Sequence, residues 1–375
     1  MSARSLYIHV PFCKRKCFYC NFYSDVCADK SADRLTDIFV TQLERYGAGF
    51  STIYIGGGTP TALPLNSLKK LLKAAAKASP GAREFTIEAN PESLDEERVR
   101  LFLDHGVDRI SIGVQSFDDI KLKKLGRIHN ASKAREAVNI AVKNGIKNIG
   151  IDLIFGVWAE KIDSWKEELE EVARLPISHI SCYELTYEKD TPLFEAIKNR
   201  SIVPIDEDAV GRMYELAIDL LALGGFKQYE VSNFAKEGCE SKHNGNYWCN
   251  GEYLGIGPAA FSYVGGVRQR NVSDLNEYIK RFEQGEPLTD FSEKLSPVRS
   301  AKETAAVKIR TKDGISFEWF KDKTGFDFLQ LEKDAVEELL KNDLIKYKKD
   351  KNIPAGIMLK RKGLLVCDTV SSALL

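Results

Sequence analysis

The sequence predicts an α/β fold, a partial (β/α)6 barrel of TIM type followed by a small helical, winged-helix-like C-terminal domain. Three observations carry the prediction. Short apolar runs rich in β-branched residues alternate with longer amphipathic segments over the first two thirds of the 375 residues. Such alternation builds βαβ units around a parallel sheet. The runs number six rather than the eight of a closed barrel, and past about residue 225 the period is lost.

In order, the runs are SLYIHV (5–10), STIYIGG (51–57), EFTIEAN (84–90), RISIGVQ (109–115), NIGIDLIFG (148–156) and HISCYEL (179–185). Helical patterns between them include LNSLKKLLKAAAKA (65–78), DEERVRLFLDHG (95–106), ASKAREAVNIAVKNG (131–145) and SWKEELEEVARL (164–175). Asp95 and Ser132 stand where N-caps belong, since a short side-chain oxygen accepts from the free N–H groups of a first turn. Gly106 and Gly145 stand at helix ends, where a left-handed residue is needed. QYEVSNFA (228–235) reads as one more strand. CESKHNGNYWCNGEYLGIGPAAFSYVGG (239–266), rich in Gly, Asn and aromatics, reads as a long ordered loop able to cover a site. Beyond Ser300, two or three short helices and the strand pattern IMLKRKGLLV make the C-terminal domain. The expected domains are therefore 1–235, a connecting region 236–299, and 300–375.

Composition excludes several classes. Lys+Arg 54 and Asp+Glu 54 cancel, which leaves no global electrostatic footprint for nucleic acid. The C-terminal lysines are interspersed with acids, as on a solvated face. No apolar run approaches the roughly 20 residues that span a bilayer, and MSARSLYIHV has no signal-peptide core. Eight cysteines spread over this length do not form a secreted disulfide framework. The expectation is a soluble, cytoplasmic protein with reduced thiols.

In parallel α/β sheets ligands sit beyond the carboxyl ends of the strands. The runs here finish in His9-Val10-Pro11, Gly56-Gly57-Gly58-Thr59-Pro60, Glu88-Ala89-Asn90-Pro91, Gln115-Ser116, Asp152 and Glu184. Carboxylates and carboxamides at successive strand ends point to a polar ligand. The loop after the first run adds Cys13, Cys17 and Cys20. A structural zinc site takes four ligands, and Cys27 or His9 could supply the fourth. An iron–sulfur cubane held by three thiolates keeps one iron open for a small molecule. A loop at the mouth of the barrel suits the cluster, because a structural zinc has no reason to face the polar strand ends.

Cys13-x3-Cys17-x2-Cys20 followed by GGGTP after the second run resembles the radical S-adenosylmethionine (SAM) superfamily. YIHVPFC, IYIGGGTPT, EANPESL, SIGVQSF, IDLIFG, HNGNYW and GIGPAAFSY match, in order, the branch of oxygen-independent coproporphyrinogen III oxidase and the HemW heme chaperones. The resemblance covers nearly the whole chain. It implies a radical SAM barrel in which Cys13, Cys17 and Cys20 hold three irons of a 4Fe–4S cluster and the fourth iron chelates SAM. It further implies SAM contacts from Gly56, Gly57, Gly58, Thr59, Glu88, Gln115, Arg127 and Asp152, with Tyr7 and Phe22 flanking the cluster. The glycines would let the backbone approach the methionyl ammonium. GGGTP lacks the GK[ST] ending of a nucleotide P-loop. Where radical chemistry operates, the cofactor carries it, and the protein orients it and excludes water.

Enzyme and carrier readings separate on particular residues. The oxidase motif ends in CxC, whereas here it reads Cys20-Asn21-Phe22, and only twelve residues precede Cys13 in place of the oxidase's long extension. His243-Asn244-Gly245-Asn246-Tyr247-Trp248 fits the HNxxYW pattern of the chaperones, and imidazole is an ordinary axial ligand of heme iron. The alternatives for His243 are a loop-fixing residue or, with Cys239 and Cys249, a small metal site. His9 is a candidate donor beneath the cluster, and His129 a structural residue. The fifth run ends in Gly156-Val157-Trp158 where the family has Gly-Leu-Pro. The expectation is a heme chaperone with a 4Fe–4S cluster, SAM and heme as cofactors. Its expected partners are client hemoproteins, with a homodimer as a candidate assembly and neither nucleic acid nor a membrane span. Coproporphyrinogen oxidation is the alternative.

Overall fold

The computed structural model describes residues 5–375; residues 1–4 lie outside the described residues. Each of the six apolar runs is a strand: β1 (Ser5–Val10), β2 (Thr52–Gly57), β3 (Glu84–Ala89), β4 (Arg109–Gln115), β5 (Asn148–Phe155) and β6 (His179–Glu184). They pair in parallel and in chain order as the centre of an open twelve-stranded sheet. Helices cover the outer face. In α1 (Asp29–Tyr46) and α2 (Leu65–Ala78) the apolar residues recur on one stripe, and Leu68, Leu71, Leu72 and Ala75 of α2 are buried. The strands turn Ile53, Ile55 and Ile87 into this core. The alternate residues Tyr54, Gly56 and Glu88 face the other way, toward the interior of the barrel.

Helix ends follow local chemistry. Asp95 accepts from the Arg98 N–H at 2.8 Å, as expected. At the helix Ala131–Lys143 the cap is Asn130, not Ser132: Asn130 has the extended backbone of a cap and accepts from the Lys133 N–H, which leaves Ser132 inside the first turn. Gly106 and Gly145 lie just past their helices at φ +81° and +91°.

Three readings of the second half change. QYEVSNFA splits into Lys227–Gln228 and Asn233–Ala235, an antiparallel pair on the β6 edge. The Glu230 carboxylate makes the turn between them by accepting from Ser232 N–H and the Asn233 amide. The segment 239–266 is not a loop over the mouth. It holds a short helix, α3 (Lys242–Trp248), then β7 (Tyr253–Ile256), which pairs in parallel with β1 as a seventh strand, then β8 (Phe261–Val264). Antiparallel strands Val267–Asn271 and Thr289–Lys294 extend that edge. The helix docks at the opposite end of the barrel, where Lys242 and His243 N–H groups donate to the carboxylate of Glu84, the first residue of β3. The strand expected at IMLKRKGLLV stops at Leu359 and gives way to helices Arg361–Leu365 and Cys367–Ala373.

The chain from Pro297 onward forms helices around a three-stranded sheet, with a second buried cluster that includes Ala305, Ile309, Phe320, Phe328, Val336, Leu339 and Ile357. Among the described residues no helix is long and apolar enough to cross a membrane.

Candidate functional site

The cysteine loop leaves β1 at Pro11 and is pinned at both ends. His9, buried at the end of β1, uses Nε2 on the Tyr23 carbonyl at 3.1 Å and Nδ1 on the Tyr7 hydroxyl at 2.9 Å. Midway, the Phe18 N–H donates to the Leu125 carbonyl at 3.1 Å. The Phe18 ring lies against Gly126, where a Cβ would come within 2.8 Å of it.

The GGGTP turn packs beneath this loop. A side chain at Gly57 would strike the His9 ring at 2.8 Å, and one at Gly58 the Phe12 carbonyl at 2.6 Å. Gly56 lies against the side chains of Glu88 and Tyr54. Close packing against β1, Phe12 and the Glu88 and Tyr54 side chains therefore already favours these glycines, before any ligand is considered.

Cys13, Cys17 and Cys20 line one cavity of about 450 Å³, with Phe22 on its rim at 65% exposure. Gly57, Gly58 and Thr59 form one wall; Glu88, Gln115 and Asp152 from the ends of β3, β4 and β5, with Arg127, form another. The structure thus brings together most of the residues singled out from the sequence. It leaves out Gly56, which sits behind the wall, and Tyr7, which lies inside the barrel with its hydroxyl on His9. Cys27 does not line the cavity either. Asn90, Ser111 and Tyr183 do, and had not been assigned. Asn90 was legible as a strand end in EANPESL; Ser111 and Tyr183 face the cavity through strand alternation alone.

The hydrogen bonds show how the site is braced. Asn90 donates through Nδ2 to Thr59 Oγ1 at 2.8 Å and accepts at Oδ1 from Arg127 Nη2 at 2.7 Å. Thr59 Oγ1 stands 3.5 Å from Cys13 Sγ. Arg127 Nη1 donates to Cys17 Sγ at 3.3 Å. Gln115 holds a left-handed backbone, φ +65°, which costs a non-glycine residue energy and is often found at functional sites.

Burial pushes the Glu88 carboxyl up to about 7, against the Tyr54 hydroxyl at 2.6 Å and the Gly57 N–H at 3.1 Å, which both favour the carboxylate. Burial raises Asp152 too. The Cys13 and Cys20 thiols are likewise raised by burial, so metal ligation has to drive their deprotonation.

This donor set fits a thiolate-held cluster. The three sulfurs share a cavity with a guanidinium and a hydroxyl placed on them. Among the described residues no three His, Cys, Asp or Glu side chains are grouped to hold a single metal ion; in a cubane each cysteine serves a different iron. The remaining wall of backbone and carboxylates suits a ligand carrying an ammonium.

His243 is not presented as a ligand. Its ring is fully buried, tilted at 34° to the Tyr54 ring with centroids 5.1 Å apart. Nδ1 meets Thr52 Oγ1 and Nε2 meets the Tyr247 hydroxyl, both at 2.9 Å. Burial lowers its pKa to about 3. A neutral imidazole bridging two hydroxyls in the barrel interior has no nitrogen free for heme. Cys249 is bonded instead to Lys308, and His129 joins Glu92 to the Val114 carbonyl.

Comparison with known proteins agrees with this geometry. Residues 7–172 match the radical SAM superfamily. The heme chaperone HemW of Lactococcus lactis is 35% identical over 91% of this chain and 90% of its own length. That of Bacillus subtilis is 32% identical over 99% of both. The structure of coproporphyrinogen III oxidase (HemN) from Escherichia coli, at 20% identity, covers 100% of this chain and 91% of its own with a TM-score of 0.84, a likeness of fold. With such identity sustained over whole chains, and the cysteine motif, glycine turn and strand-end carboxylates assembled on one cavity, the chain belongs to the HemW family of the radical SAM superfamily.

Proposed function

We propose that this protein is a cytoplasmic heme chaperone that binds heme and passes it to client hemoproteins. Membership of the radical SAM superfamily brings a 4Fe–4S cluster and SAM. In our reading Cys13, Cys17 and Cys20 hold the cluster, whose open iron would bind and activate SAM. Glu88 and the backbone of Gly57 and Gly58 would face the SAM ammonium. Gln115, Asp152 and Asn90 would fix its polar edge, and Phe22 would shield the rim from water. We take residues 5–235 together with β7 as the cluster-binding unit and 300–375 as a separate unit. Heme binding rests on the whole-length kinship with proteins named heme chaperones, which is the observation that carries this reading. Coproporphyrinogen oxidation is disfavoured because Phe22 stands where the oxidase motif has a further cysteine.

The test is anaerobic incubation of reconstituted protein with heme in one arm and coproporphyrinogen III, SAM and a reductant in the other. A chaperone takes up about one heme per chain, as for a single axially ligated site, and leaves coproporphyrinogen unchanged. Decarboxylation at about 1 per second or faster, an ordinary enzymatic rate, overturns the assignment.

A further inference from the structure

The cysteine loop and the segment carrying Arg127 are docked residue against residue. The Phe18 N–H bonds to the Leu125 carbonyl at 3.1 Å, and the Phe18 ring rests on Gly126, whose φ of +76° and missing Cβ make the contact fit. The residue before Phe18 and the residue after Gly126 are thereby brought face to face: Cys17 Sγ and Arg127 Nη1 are 3.3 Å apart.

The guanidinium has little freedom to leave. Nη2 donates to Asn90 Oδ1 and to the Gly113 carbonyl, each at 2.7 Å. Behind it the Glu92 carboxylate lies 4.0 Å away and is itself held by His129 at 3.2 Å. The side chains of Arg127 and Glu92 are 6% and 15% exposed, so their charges are weakly screened. Nε of Arg127 is buried with no partner among the described residues. The family resemblance implies a SAM contact for Arg127; its terminal nitrogens also bond Asn90, the Gly113 carbonyl and a cysteine sulfur.

We propose that Arg127 sets the reduction potential of the cluster by holding a fixed positive charge and a hydrogen bond on the Cys17 thiolate, with Glu92 as the opposing charge that moderates it. The inference rests on the assignment of Cys13, Cys17 and Cys20 to the cluster. Reduction by one electron from an external reductant adds a negative charge to a centre whose ligands are already anionic. Hydrogen bonds to cluster sulfurs are among the factors that set such potentials. A cation 3.3 Å from a ligand sulfur stabilises the reduced form more than the oxidised form and raises the potential. A nearby carboxylate does the reverse. Arg127 is thus a tuning residue acting through Cys17, and Asn90 and Gly113 are what keep it aimed.

The experiment is a redox titration of the anaerobically reconstituted full chain without SAM, followed by the electron paramagnetic resonance signal of the reduced cluster. Iron and sulfide are counted first. In Arg127→Met the ratio of reduced to oxidised cluster at a fixed potential should fall about tenfold, which is 59 mV for a one-electron couple. Arg127→Lys, which keeps the charge but loses the planar fork, should fall between Met and wild type. Glu92→Gln should shift in the opposite direction, to a higher potential. A merely structural role would open the site in every variant and move them all the same way. Full cluster content with an unchanged midpoint in both Arg127 variants overturns the tuning role, as does a shift of one sign in all three. Absence of a cluster from the wild-type protein overturns the cysteine assignment itself, and the tuning role with it. Should Arg127→Met fail to assemble a cluster, Arg127→Lys and Glu92→Gln decide.

Discussion

Glu88 shows how one residue's environment decides its use. It ends β3 inside the barrel, where burial makes the charged form expensive and lifts the carboxyl to about 7. A folded-state pKa raised above the unfolded value means that the folded protein holds the proton more tightly. That stability is complete below about 4.5 and is lost as pH rises through about 7. Two outcomes are expected. The ligand-free Glu88→Gln protein should be more stable than wild type above pH 7 in thermal unfolding. With the SAM ammonium on this carboxylate, as proposed, SAM should bind wild type more tightly at pH 8 than at pH 6, while the variant binds about tenfold or more weakly with a flat profile, the scale of a lost charged hydrogen bond. Equal SAM affinity in the two proteins at pH 8 would show that the carboxylate faces another ligand.

At the scale of elements, α3 has the most consequence. Its sequence reads as a ligand motif, but its position makes it a plug for the far end of the barrel. Glu84 receives its first N–H groups, and Tyr247 stacks edge-on against Tyr253 of β7 at 4.7 Å. His243 sits between, joined to β2 through Thr52. His243→Ala removes two buried hydrogen bonds and the contact with Tyr54, and should cost about 3 kcal/mol of stability. Heme uptake per folded chain should be unchanged. Loss of heme binding with an unaltered melting temperature would restore His243 as a ligand and refute the plug.

At the scale of the whole molecule there are two buried clusters with different tasks. Every residue that lines the cavity lies between 13 and 188, whereas the second cluster begins at Ala301. Contact between the two runs through Val231 and Leu364, which pack on both, and through polar links such as Arg361 to Asp219 at 2.7 Å. Phe320→Ala, which empties a fully buried ring from the second cluster, should destabilise that part by about 3–5 kcal/mol. Iron and sulfide content after reconstitution should stay as in wild type. A parallel loss of iron would mean that the two clusters unfold as one.

The sequence alone determined the barrel strands, because period and β-branched composition are local properties of a chain. It also determined the cysteine loop and most of the cavity wall, since the end of a parallel strand is where a ligand must sit. It was misleading where neighbours remote in sequence decide. The run 253–256 is a strand because β1 offered it a free edge. Ser132 lost the cap to Asn130, two residues earlier, because the helix begins at Ala131. The position of α3 depends on Glu84, 159 residues earlier in the chain. The pairing of Arg127 with Cys17, 110 residues apart, follows from one backbone hydrogen bond and one bare glycine. Patterns report what a segment is able to do; burial and the identity of the atoms across the gap decide which of those things it does, because hydrogen bonds and charges act over a few ångströms in space whatever the distance along the chain.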